Sequence, residues 1–136
     1  MGTWGLGVFE DDDAMNWAVD FQRAPCEQSL REAFEAAVKT KDYLERDLGS
    51  SALAAAEVLA AANGQPCEDI PLALRDWAVT NVAIAGPDLL ARACAAIDRV
   101  LQADSSEKAE SWLRQDDAAQ WVTRMEALKH RLSRPQ

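Results

Sequence analysis

ALAAAEVLAAAN, residues 52–63, is the stretch on which the fold turns. Alanine is the best helix former, and its small side chain lets a neighbouring helix approach closely. Ser50 or Ser51 can cap the start of this run. Gly64 ends it, at a position that favours left-handed backbone. The whole segment therefore reads as one helix with its own start and stop.

The same punctuation extends outward in both directions. Upstream, a helix is predicted from Pro25 to about Leu48, with Leu30, Ala33, Phe34, Ala37, Val38, Lys41, Leu44 and Leu48 along one stripe. Gly49 closes it as a C-terminal glycine. Before it, Asp12 to Gln22 place Ala14, Trp17, Ala18 and Phe21 at helical spacing. Downstream of Pro66, Asp69 is the expected cap and Pro71 falls in the first turn of a helix with Ile70, Leu74, Trp77 and Ala78 inward. Gly86 ends that run, and Pro87 opens the next at the favoured first helical position. Its stripe is Leu90, Ala93, Cys94, Ile97 and Leu101.

The last region divides in two. One continuous helix would put Asp117 on the apolar face between Leu113 and Trp121. A break near Gln115 or Asp116 removes that conflict, with Asp116 as the next cap. Trp121, Val122, Met125, Leu128 and Leu132 then form a regular stripe, while Trp112 sits at the break, partly exposed. The expected architecture is all-α, a compact bundle of six or seven short helices in a single domain over 1–136. Residues 1–10 form an N-terminal strap and 11–134 the bundle. The alternative is α+β: "WAVTNVAIAG" is rich in β-branched residues and could pair with "TWGLGVF" as one small two-stranded element.

The bulk numbers constrain function. The chain has 136 residues and a formal net charge of -9. Such a chain is repelled by nucleic-acid phosphates and anionic lipid, so the charge serves either a basic protein partner or solubility alone. No apolar run reaches the roughly 18 residues of a membrane span. Cys26, Cys67 and Cys94 are odd in number and widely spaced. No CxxC pair marks a zinc site, no disulfide framework is expected, and a reducing cytosol is the expected compartment.

The glycine–aromatic start, "GTWGLGVF", runs into four carboxylates, Glu10 to Asp13. A phosphate loop needs a preceding strand and a Lys, and neither is present. The glycines instead suit a strap laid flat on other helices, with Trp4 and Phe9 reaching inward and Trp17 packing against them. Asp11 or Asp12 caps the first helix, and the neighbouring carboxylates complement its dipole. Asp13, Asn16 and Asp20 share one helical face and are the candidate contact surface for a basic partner. The sole histidine, His130, ends the last helix, and no constellation of catalytic groups accompanies it. No catalytic residue, metal ligand or cofactor is expected.

The opening resembles the signature of domain-of-unknown-function family 4259, a bacterial family of small proteins. Gly2, Trp4, Gly5, Gly7, Phe9, Asp12, Ala14 and Trp17 match its pattern. "ALAAAEVLAAANGQP" is similar to its Ala-rich middle, and "WLRQDDAAQWVTRMEALKHRL" to its C-terminal Trp and Arg-Leu region. The chain departs from the pattern at Asp11, where the family tends to Asn or Ser, and at Asn16, where it tends to Asp. The resemblance implies no activity. The expected function is a non-catalytic, acidic protein-interaction module of immunity or antitoxin type. The alternative is a small-molecule or metal-binding protein using the motif face.

Overall fold

The structure is a computed structural model, and it describes residues 5–134. Gly2 and Trp4 of the motif lie outside the described residues. Seven α-helices follow in order: α1 (Asp12–Arg23), α2 (Glu27–Lys39), α3 (Arg46–Ala62), α4 (Leu72–Thr80), α5 (Pro87–Val100), α6 (Glu107–Leu113) and α7 (Ala118–Ser133). A 3-10 turn at Val82–Ile84 links α4 to α5. The fold is all-α, as the helical spacing of the sequence requires.

The Ala-rich run is the axis of the molecule. Every residue of α3 from Ala52 to Ala62 is buried. The helix packs against α1, α2, α4, α5, α6 and α7. A helix surrounded in this way must be apolar nearly all round, and alanine keeps each neighbour close. Leu53 and Leu59 fill what alanine leaves open, each contributing about 1.5–3 kcal/mol by full burial. The C-terminus closes as a Schellman motif: Gln65 N–H donates to the Ala60 carbonyl at 2.8 Å and Gly64 N–H to that of Ala61 at 3.0 Å. Gly64 takes φ +83°, the one positive-φ glycine among the described residues. The Asn63 side-chain amide then donates to the carbonyls of Arg131 and Arg134, at 3.1 and 2.8 Å, and ties this end to that of α7.

Several boundaries differ from the sequence expectation. The predicted helix from Pro25 to Leu48 is two elements. α2 stops at Lys39, where the Thr40 hydroxyl donates back to the Ala36 carbonyl at 2.7 Å. Residues 41–45 then run as an irregular link in which Leu44 forms an isolated bridge with Ser106. Leu44 is fully buried from this link rather than from a helix, so the apolar spacing persists across a break it does not reveal. Gly49 consequently lies inside α3, buried against Lys108 and Val100, and caps nothing. Neither Ser50 nor Ser51 caps α3, which starts at Arg46.

Gly86 precedes α5 as its N-cap, with extended backbone, instead of ending the run before it. Pro71, not Asp69, occupies the N-cap of α4. The break before α7 is where the sequence placed it, with Asp117 at the cap in place of Asp116. Trp112 is buried, not partly exposed, and stacks on Trp121 with ring centroids 6.0 Å apart. The two-stranded alternative is not formed: the β-branched "WAVTNVAIAG" continues α4 into the 3-10 turn, and no strand is present among the described residues. Val79, Thr80 and Val82 of that stretch are exposed, and the helix is anchored by its buried Leu74 and Ala78.

Candidate functional site

The strap turns onto α1 through a compact set of hydrogen bonds. Glu10 N–H donates to the Gly7 carbonyl at 3.0 Å, and Gly7 N–H donates to Glu10 Oε1 at 3.1 Å. A side chain on Gly5 would collide with the Glu10 carboxylate, and one on Gly7 with the carboxylates of both Glu10 and Asp69. The motif glycines therefore make room for acidic side chains, not for a helix backbone. Phe9 and Val8 are buried in the core.

Asp11 follows as the N-cap of α1. Its Oδ1 accepts from Asp13 N–H at 2.8 Å and from Ala14 N–H at 3.4 Å. Its Oδ2 accepts from the Ser50 hydroxyl at 2.7 Å and from the Lys108 ammonium. Asp11, Ser50 and Lys108 are all buried, at 1%, 1% and 5% exposure. Burial works to raise the Asp11 carboxyl, but hydrogen bonding and the charge of Lys108, with Ser50 and the backbone, outweigh it and hold the pKa below the ordinary carboxylate value. This carboxylate fastens strap, α1, α3 and α6 at one point.

A second, part-buried ion pair joins α3 to α7. Glu57 is the one charged residue between Ala52 and Ala62, and Arg131 of α7 grips it with both terminal nitrogens, at 2.9 and 3.0 Å. Arg131 Nη1 also donates to the Gln65 carbonyl at 3.1 Å. Beside the pair opens a cleft of about 240 Å³, walled by Leu6 to Val8, Cys67 to Asp69 and Arg124. Burial pushes the Cys67 thiol far up, and the neighbouring carboxylates of Glu57 and Asp69 add to it. The thiol is thus held protonated, which is the opposite of what a nucleophilic cysteine needs.

The predicted partner face of α1 is only partly a unit. Asp12 is exposed in the first turn. Asp13 faces α3 and pairs with Arg46 Nε at 3.4 Å. Asn16 is exposed. Asp20 pairs with Arg23 one turn on at 3.5 Å, both side chains being three-quarters exposed. Trp17 stacks on Phe21 with centroids 4.9 Å apart, and Phe21 meets Trp77 edge-on at 5.1 Å. Trp17, Phe21 and Asp20 line a groove of about 310 Å³ between α1 and α2, together with Glu32 and the exposed Leu48. Asp13 does not line it.

Sequence reasoning left the α1 cap open between Asp11 and Asp12, and it missed Lys108, Glu57 and Arg131. Their signals were present: Lys108 stands one helical turn before Trp112, and Glu57 interrupts an otherwise apolar helix. His130 is exposed at the end of α7, and Cys26, Cys67 and Cys94 are free thiols. Among the described residues no group of three His, Cys, Asp or Glu side chains could hold a metal ion. Nor is any helix of the described residues long and apolar enough to cross a membrane.

Fold and site together define an all-helical protein in which residues 5–10 are joined to the bundle by a buried carboxylate, Asp11, at the side of an Ala-rich central helix. The chain belongs to the family described as Domain of unknown function (DUF4259), whose model matches residues 2–124. No curated protein matches the chain, and neither does any solved structure.

Proposed function

We propose that this protein is a non-catalytic, acidic interaction module of the cytosol, of immunity or antitoxin type, that receives a basic segment of a partner protein. The observation that carries the reading is the groove between α1 and α2. Trp17 and Leu48 offer aromatic and apolar surface there, backed by the buried Phe21, and Asp20 and Glu32 set carboxylates at its rim. A Lys or Arg side chain fits both halves: its stem lies along the rings and its charge meets the acids. Asp20 is held only by an exposed pair with Arg23. Such pairs contribute about 0–1 kcal/mol, so a partner's cation can replace Arg23 at little cost. The net charge of -9 steers a basic partner toward the surface. The cytosolic assignment draws on the three free thiols.

The test compares the wild-type chain with an Asp20→Lys, Glu32→Lys double variant as baits at low salt. Both positions are exposed, so the fold is retained. A basic protein that binds the wild type, weakens as salt rises and is lost from the variant supports the groove. Equal retention by both baits, or a captured protein without basic character, overturns it.

A further inference from the structure

We propose that the cleft beneath the strap is a binding site for a small zwitterion of the free α-amino-acid type, with Arg124 taking its carboxylate and Asp69 its ammonium group. This site is separate from the groove between α1 and α2, and it stands or falls independently of the partner-binding reading.

The charges on the cleft wall can be sorted by what they already do. Glu57 and Arg131 satisfy each other through a two-point fork. Most of the Arg131 charge is spent on Glu57, and the rest reaches Cys67 and Asp69. Cys67, held protonated, is a neutral polarisable surface. What remains is Arg124 on α7, with Glu68 and Asp69 on the turn after Pro66. Among the described residues Arg124 has no ion-pair partner, while the Asp69 carboxylate takes a hydrogen bond from the Cys67 thiol and lies in the field of Arg131. One unpaired cation and two exposed carboxylates therefore line a cavity whose remaining wall is the apolar surface of Val8 and Met125.

A ligand that satisfies this wall must carry both signs of charge. A simple anion would meet two carboxylates, and a simple cation would meet Arg124. Size narrows the class. The cleft is about 240 Å³, below the roughly 300–1,000 Å³ of pockets that hold drug-sized molecules. An amino acid with an apolar side chain matches the charges, the apolar wall and the volume together. Arg is suited to the carboxylate end because its planar fork binds that group at two points.

The motif glycine has a place in this site. Gly7 lets the Asp69 carboxylate lie directly against the strap backbone; a side chain there would make the carboxylate swing aside. The strap thus forms one wall of the cleft and positions the group that would receive the ammonium.

Calorimetric titration of the full chain tests the assignment, using leucine as zwitterion, isopentylamine as its amine-only analogue and 4-methylpentanoate as its acid-only analogue. Leucine should bind and both analogues should bind at least about tenfold more weakly, since each lacks one charge-assisted contact. Arg124→Ala should reduce leucine affinity by at least about tenfold and leave the amine unaffected. Asp69→Asn should do the same for leucine and leave the acid unaffected. Both side chains are exposed, so neither change removes a core contact, and retained helicity by circular dichroism certifies each variant. Absence of heat with leucine and with the other apolar amino acids overturns the proposal. So does binding that survives both substitutions.

Discussion

Asp11 does at one position what three residues would otherwise share: it caps a helix, neutralises Lys108 and accepts from Ser50. Removing one member of a buried ion pair typically costs about 3–5 kcal/mol, because the other charge is left unpaired. Asp11→Ala should reach that range in chemical denaturation, since a cap is lost along with the pair. Lys108→Met should cost distinctly less, because Asp11 keeps Ser50 and the α1 amides. Equal losses would show that the ammonium, not the carboxylate, is the centre of the cluster. Tyr43 supplies a second readout. It is the only tyrosine in the chain, so phenolate absorbance reports it alone. Its hydroxyl donates to Glu110 at 2.6 Å, and this bond pushes its pKa up to about 12. The neutral phenol is the form that the folded state favours. Its contribution is therefore whole below about pH 10, the unfolded value, and fades as pH rises through about 12. A phenolate midpoint near 10 in the folded protein would mean that the Glu110 contact is absent in solution.

At the scale of elements, α3 carries a clean test in its terminal glycine. Gly64 holds φ +83° with nothing within 4 Å of where a Cβ would stand. Gly64→Ala thus isolates backbone strain from crowding, and should destabilise by about 1–2 kcal/mol in equilibrium unfolding. The same feature shows what the sequence could tell. Gly64, Pro87, the break before α7 and the stripes of α1 and α7 were legible because glycine, proline and apolar spacing act locally. The turn between α2 and α3 was not, because Leu44 keeps the helical spacing while being held by Ser105 and Glu107 from the far side of the molecule. Thr40 and Ser105 also share Arg99, whose guanidinium donates to both carbonyls at 3.0 Å. Neither residue announces that in its neighbours. The candidate sites divide in the same way. A carboxylate cap, at Asp11 or Asp12, was visible in "EDDDA", whereas Lys108 and Arg131 take their roles from partners 97 and 74 positions away.

For the whole molecule, the acid limb of stability should carry the mark of the strap. The Asp11 carboxyl is held below its ordinary value in the folded state. Its contribution is complete above the unfolded pKa of about 3.9 and is lost as pH falls through the lower folded value. Melting temperatures of wild type and Asp11→Asn should therefore differ most at neutral pH and converge below about pH 4. A gap that persists undiminished into acid would assign the effect to shape and not to charge. The clamp between Asp11 and Lys108 also has a consequence in time. It joins positions 97 residues apart, so loop closure on that scale must precede it. During vectorial synthesis the first helix is complete long before Lys108 exists. The Asp11 carboxylate therefore stays hydrated until α6 has left the ribosome, and closing this clamp is a late act of folding.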